Sequence, residues 1–401
     1  MTLAVDHKAT AVAAVKGSDY LTFERAHGSI DALDGLRTLA IVLVLFRHAM
    51  KAMEPQVGNA FEISLPWGTW NAAIPMMNGW MGVDLFFVLS GFLIGSHLIR
   101  HRSDFSTASL GRYVGARALR IVPTYFAVIL LVAIGFFPLY KPLSEDLVAS
   151  VIWHMLFLQD YLPSDLIVAF WSLGVEEKFY IVAPLLILGT ARLGRLRNRI
   201  AAYCVLLILP MLFRWATLQS MEFDFTSYRA YFETFRSPFH LTYEGLLIGV
   251  ICAEFFACKV CKEKFRRHAK PMLVFGTIII AAHLFPVNLM AQITLYDVLL
   301  QPVLLSVGFG LILLATALIN PKSGWAASRF SLIGARLSYS LYLVHMALIP
   351  AAMVPALLSG TQGLALFAIF FSAFMALSLI ASLALHFVVE KPFLQLKSRL
   401  F

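Results

Sequence analysis

Arg37 and His48 stand eleven residues apart in the run Asp34-Gly-Leu-Arg37-Thr-Leu-Ala-Ile-Val-Leu-Val-Leu-Phe-Arg47-His48. On a helix, eleven residues make close to three turns. Both side chains then lie on one face, about 16 Å apart along the axis. They are too far apart to touch, and Ile41 and Val44 between them are apolar. The pair could instead hold two parts of one long ligand. A guanidinium suits a phosphate, and a neutral imidazole suits proton abstraction.

Other residues suggest chemistry less sharply. Asp84 is isolated in Gly82-Val-Asp84-Leu-Phe-Phe-Val-Leu-Ser90-Gly91 and needs a partner, for which an Arg or His of the first apolar run is the natural choice. Ser90-Gly91 allows another helix to approach closely. In Trp171-Ser172-Leu-Gly-Val-Glu176-Glu177-Lys178, the adjacent carboxylates are either a solvated edge or one of them orients a histidine. Ser338, Tyr342 and His345 share one helical face, which could bind a hydroxylated substrate or pack as a hydrogen-bonded seam. There is no HExxH, GxSxG, Walker A or GxGxxG pattern, so zinc, flavin or ATP chemistry has no support. Cys258-Lys-Val-Cys261 lacks a second pair and gives little ground for metal or redox work; no metal is expected.

The elements that must position these residues are membrane helices. Of the 401 residues, 60% are hydrophobic and 14% charged, against about 25% charged in an ordinary soluble domain. This composition excludes a disordered chain, a fibre, a disulfide scaffold and a nucleic-acid-binding domain. Apolar runs long enough to span a bilayer fall at about 33–52, 75–99, 119–139, 174–190, 200–218, 239–257, 271–290, 293–319, 332–356 and 364–389. The reading is all-α: a polytopic bundle of about ten transmembrane helices. Alternate inter-span segments hold twenty-four Lys and Arg on one side and four on the other. The rich side is cytoplasmic, which puts both termini inside and accounts for the net charge of +9. The domains expected are a polar cytoplasmic extension (1–30), the membrane domain (31–395) and a cytoplasmic tail (396–401). Residues 147–173 fit one re-entrant or interfacial stretch on the outer side, which needs protein or a cavity to cover it. Glu254, Lys178, Arg214 and His386 are expected to snorkel at span ends, whereas Glu244 and Asp297 join Asp84 as buried acids open to function.

In this order and spacing, the blocks resemble the acyltransferase 3 family of multi-pass membrane acyltransferases, over about residues 30–395. The matching stretches are Ile30-Asp-Ala-Leu-Asp-Gly-Leu-Arg37 with His48, the Gly82–Phe92 block, Arg117-Ala-Leu-Arg120-Ile-Val-Pro-Thr-Tyr125, Trp171–Tyr180, Leu337–His345 and Glu390-Lys-Pro-Phe393. The resemblance implies an O-acyltransferase that moves an acyl group, commonly acetyl, from cytoplasmic acyl-CoA to a sugar hydroxyl of a polysaccharide or lipopolysaccharide. It implies Arg37 and His48 as the essential pair, with His48 as general base or, in the competing mechanism, as an acyl-histidine intermediate, and with Asp84 and Glu176 at motif positions that could orient the imidazole. Arg37, Arg117 and Arg120 are then candidates for the CoA phosphates, and Trp171, Ser172, Tyr342 and His345 for the acceptor. The partners expected are acyl-CoA, a hydroxylated acceptor and membrane lipid, in a bacterial inner membrane and without nucleic acid. Transfer is expected from the membrane core itself, without an appended soluble catalyst. A transporter or flippase that transfers no acyl group is the alternative.

Overall fold

The computed structural model describes residues 22–23, 30–57, 59–66, 68–286 and 293–401. The only sheet among them is a hairpin of β1 (Glu62–Leu65) and β2 (Gly68–Asn71). The rest is built on helices: α1 (Asp31–Val57), α2 (Gly82–Arg100), α3 (Thr107–Ala133), α4 (Leu147–Met155), α5 (Trp171–Ala191), α6 (Leu196–Ser220), α7 (Glu244–Ala257), α8 (Ala269–Leu284), α9 (Gln301–Ile319), α10 (Arg329–Leu358), α11 (Gly363–Leu385) and α12 (Lys391–Leu400). Short polar caps start several of them. Ser106 accepts from Ser109 N ahead of α3, Asp146 from Ala149 N ahead of α4, and Ser328 from Ser331 N ahead of α10.

Six stretches are long and apolar enough to cross a membrane: Ile74–Arg100, Thr107–Ala133, Leu196–Ser220, Gln301–Ile319, Arg329–Leu358 and Gly363–Leu400. The chain is an integral membrane protein on this count, with six such helices among the described residues where ten are expected. The other four expected spans are helical but fall short for physical reasons. α1 carries Asp34, Arg37 and Arg47, and α5 carries Glu176, Glu177 and Lys178. α7 has 14 residues and α8 has 16. The stretch expected from residue 293 is also interrupted. Leu295–Leu299 is a separate short helix whose Asp297 forms a capping box with Thr294 and accepts from Gln301 Nε2 at 2.7 Å. Asp297 is therefore accounted for as a cap.

Close backbone contacts set the depth of the site residues. A Cβ on Gly91 of α2 would lie 1.9 Å from the Leu246 carbonyl of α7, and one on Gly82 would lie 2.4 Å from the Ala40 carbonyl of α1. α2 is thus clamped between its two neighbours, as the Ser90-Gly91 pair suggests. α1 and α10 run parallel. Thr38 Oγ1 donates to the buried Ser331 carbonyl at 2.8 Å near one end, and His48 meets His345 further along. Residues 147–173 form the nine-residue α4, a loop and a single 3₁₀ turn at Val168–Phe170 before α5 begins. Residues 1–21 and 24–29 of the expected extension lie outside the described residues. Phe23 packs on His386 and Phe387, with ring centroids 5.4 Å away in both cases.

Candidate active site

His48 Nδ1 lies 3.0 Å from His345 Nε2. His345 is fully buried. Its Nδ1 faces the carbonyls of Leu341 and Tyr342 at 3.1 and 2.9 Å. Carbonyls only accept, so His345 Nδ1 carries the hydrogen and its Nε2 bears the lone pair when the ring is neutral. The nitrogen facing it, His48 Nδ1, must then donate. That leaves His48 Nε2 with its own lone pair, the form a general base needs.

Arg37 lies at the other end of the α1 face, where two neighbouring cavities meet. The larger, of about 900 Å³, is lined by Arg37, Arg112, Arg117, Arg120, Arg336 and Lys397, with Glu390 the one carboxylate among its lining residues. Glu390 is already engaged by Ser340 Oγ at 2.7 Å and His386 Nδ1 at 2.8 Å. Six cations around one volume make a strong anion site. Arg117 is held between the rings of Tyr113 and Tyr180, 5.8 and 5.5 Å from their centroids. Residues 396–401, expected as a tail, supply Lys397, Ser398 and Phe401 to this wall. The second cavity, of about 100 Å³, continues from Arg37 past Ser90, Glu176 and Tyr180 to Val83 and Tyr342.

A third cavity, of about 460 Å³, lies on the other side of Val83 and Tyr342, which line both volumes. Its wall includes His48, Arg47, Trp80, Trp171, Tyr228 and Arg236 together with residues 159–165. The second half of the 147–173 stretch therefore covers a cavity. Burial raises the Asp160 carboxyl, with Lys178 pulling the other way, and it raises that of Asp165 against the opposing pull of Arg229. Three wall residues keep buried polar atoms without partners among the described residues: Trp80 Nε1, Gln159 Oε1 and Asp160 Oδ2.

Several sequence expectations need correction. Asp84 does not face His48. It is 3% exposed and binds Arg236 through two bonds of 2.8 Å each. The Arg236 guanidinium lies 5.0 and 5.3 Å from the ring centroids of Trp80 and Trp171. Glu176 does not reach the imidazole either. It accepts from Ser90 Oγ at 3.0 Å and Tyr180 OH at 3.2 Å. His345 is absent from the lining of all three cavities and backs His48 instead. Tyr342 donates to the Ala169 carbonyl at 2.7 Å and lies 2.6 Å from Ser172 Oγ, so these two belong largely to a hydrogen-bonded seam. Trp171 does line the third cavity.

The residues expected to snorkel are paired instead. Arg214 is 1% exposed and pairs with Glu244. Glu254 receives Arg199 through two 3.0 Å bonds, with Arg102 beside it. Lys178 pairs with Asp160, and His386 with Glu390. Arg236 was missed by sequence reasoning. Its signal was available: it is one of two cations in 219–238, and the isolated Asp84 required one.

The fold and site define a helical membrane protein with a basic cavity and a polar one, the polar one lined by the first member of a histidine pair. The acyltransferase domain family, acyltransferase 3, matches residues 30–387, and the chain belongs to it. It is similar to the peptidoglycan O-acetyltransferase OatA of Listeria monocytogenes, with 30% identity over 173 residues, 40% of this chain and 24% of that one. The Bacillus subtilis protein YrhL is 27% identical over 278 residues, 64% of this chain and 39% of that one. The Staphylococcus aureus protein SACOL0978 is 26% identical over 345 residues, 80% and 50% of the two chains. The chain thus spans from about a quarter to half the length of these relatives. No solved structure matches.

Proposed function

We propose that the protein is an O-acetyltransferase of the bacterial inner membrane, with acetyl-CoA as donor and a hydroxyl of a surface or exported glycan as acceptor. The observation that carries this reading is the position of His48. His48 lines one cavity, and the arginine cluster of Arg37, Arg117 and Arg120 lines another that shares Val83 and Tyr342 with it. The cluster suits the donor's phosphates, and the excess of Lys and Arg on that side favours a cytoplasmic location. The thin arm of the donor then passes between Val83 and Tyr342 towards His48.

His48 Nε2 takes the proton of the acceptor hydroxyl as its oxygen attacks the thioester carbonyl. The tetrahedral intermediate collapses with cleavage of the C–S bond, and the CoA sulfur recovers the proton from His48. His345 acts as a positioning residue: it holds His48 in the right tautomer and accepts from its Nδ1–H throughout. The polar and aromatic wall of the third cavity suits a sugar, whose hydroxyls need partners and whose apolar faces stack on rings. Relatives named for peptidoglycan O-acetylation support a glycan acceptor.

The test is mass spectrometry of cell-surface glycans from strains carrying the wild-type protein, His48→Ala and no protein. Acetyl groups present only with the wild-type protein support the reading. An identical acetyl pattern in all three strains removes it.

A further inference from the structure

Arg47 is not used by this chemistry, yet it is 6% exposed and lines the third cavity together with His48. Its Nη1 has a sulfur contact with Met77 Sδ at 3.8 Å, and a thioether is a weak acceptor. The Tyr228 ring centroid lies 5.8 Å from its guanidinium carbon. Among the described residues, every other charge lining the cavity except Asp165 has an ion-pair partner. Arg236 has Asp84, Arg229 has Glu233 at 2.7 Å, and Asp160 has Lys178. Among the described residues, no carboxylate pairs with Arg47. A guanidinium so deeply withdrawn from water without an anion is costly to keep. It is well suited to completion by one, because its fork of donors fits a carboxylate or a phosphate through two bonds at once.

We propose that Arg47 binds an anionic group of the acceptor, a carboxylate or a phosphate, on the sugar that carries the reacting hydroxyl or on its neighbour. Arg47 and His48 are adjacent in the chain and open into the same cavity, so the anion would be anchored close to the attacking oxygen. The inference rests on the acyl-transfer reading and adds that the acceptor is an acidic glycan rather than a neutral one.

The experiment uses the full chain reconstituted in lipid nanodiscs. Binding of three probes is measured by tryptophan fluorescence: cellotetraose (neutral), tetragalacturonate (carboxylate) and glucose 1-phosphate (phosphate). Release of CoA from acetyl-CoA is followed in parallel, with and without each probe. Wild-type protein should bind one anionic probe at least about tenfold more tightly than the neutral one, and the stronger of the two identifies the anion. Arg47→Gln should reduce that preference to about twofold or less. Arg47→Lys keeps the charge, serves as the folding control and should retain part of the preference.

The proposal is overturned by a wild-type protein that binds the three probes alike or binds neither acid, or by Arg47→Gln with an intact preference. It is equally overturned if Arg47→Gln slows CoA release to the same degree with every probe, since that would place the cation on the transition state. Failure of the acyl-transfer reading looks different: the wild-type protein releases no CoA at all, whatever the probes do.

Discussion

His345 Nε2 faces His48 Nδ1 at 3.0 Å, across 297 positions of sequence. The first ring is fixed by two carbonyls of its own helix, and the second takes its tautomer from the first. A backbone feature of α10 thereby sets the proton inventory of a side chain on α1.

Removing that support should slow chemistry without weakening donor binding. His345→Ala is expected to lower kcat for acetyl-CoA turnover about tenfold, the equivalent of one hydrogen bond near 1.4 kcal/mol, with KM for acetyl-CoA unchanged. Steady-state kinetics on the reconstituted protein check this. A raised KM at constant kcat would assign His345 to ligand binding instead.

The Asp84–Arg236 pair is buried on both sides. Breaking it from either end leaves an uncompensated charge, which costs about 3–5 kcal/mol in such settings. Asp84→Asn and Arg236→Gln should each depress the thermal midpoint of the detergent-solubilised protein, and the double variant should lose less than the sum. Additive losses would mean that the two side chains do not act as a pair.

Arg37 and Arg117 should act on the nucleotide end of the donor. Arg37→Gln is expected to raise KM for acetyl-CoA while leaving the KM for acetyl-pantetheine, which lacks the nucleotide, nearly unchanged. Competition between the two donors measures this directly. Equal effects on both would remove the phosphate assignment.

Gly91→Val should fail to fold. Its Cβ would lie 1.9 Å from the Leu246 carbonyl, a clash with backbone on a neighbouring helix that no rotamer relieves. Size-exclusion chromatography after membrane extraction should find little monodisperse protein. A well-behaved, active Gly91→Val protein would contradict the α2–α7 contact.

Local features of this chain were legible in its sequence, and distant pairings were not. The spacing of Arg37 and His48, the apolar runs and the close-approach glycine of α2 are set within a few turns of one helix, where periodicity is informative. Arg117 and Arg120 also do gather with Arg37 around one cavity. The partner of Asp84 lies 152 residues away, and that of Glu244 lies on another helix. Nothing in a periodicity says which buried charges will meet. The same holds for the charges of α5, where Glu176 and Lys178 each have partners that tertiary packing brings to them. Asp297 looked like a membrane acid because its run reads as one apolar stretch, until a capped break divides it.

The central claim is that His48 moves the proton. Its most direct test is acetyl-CoA turnover by reconstituted wild-type protein and His48→Ala, with a membrane glycan extract as acceptor. The account predicts a fall in kcat of about 10²–10⁴-fold with KM for acetyl-CoA preserved. A His48→Ala protein that turns over at the wild-type rate would contradict it.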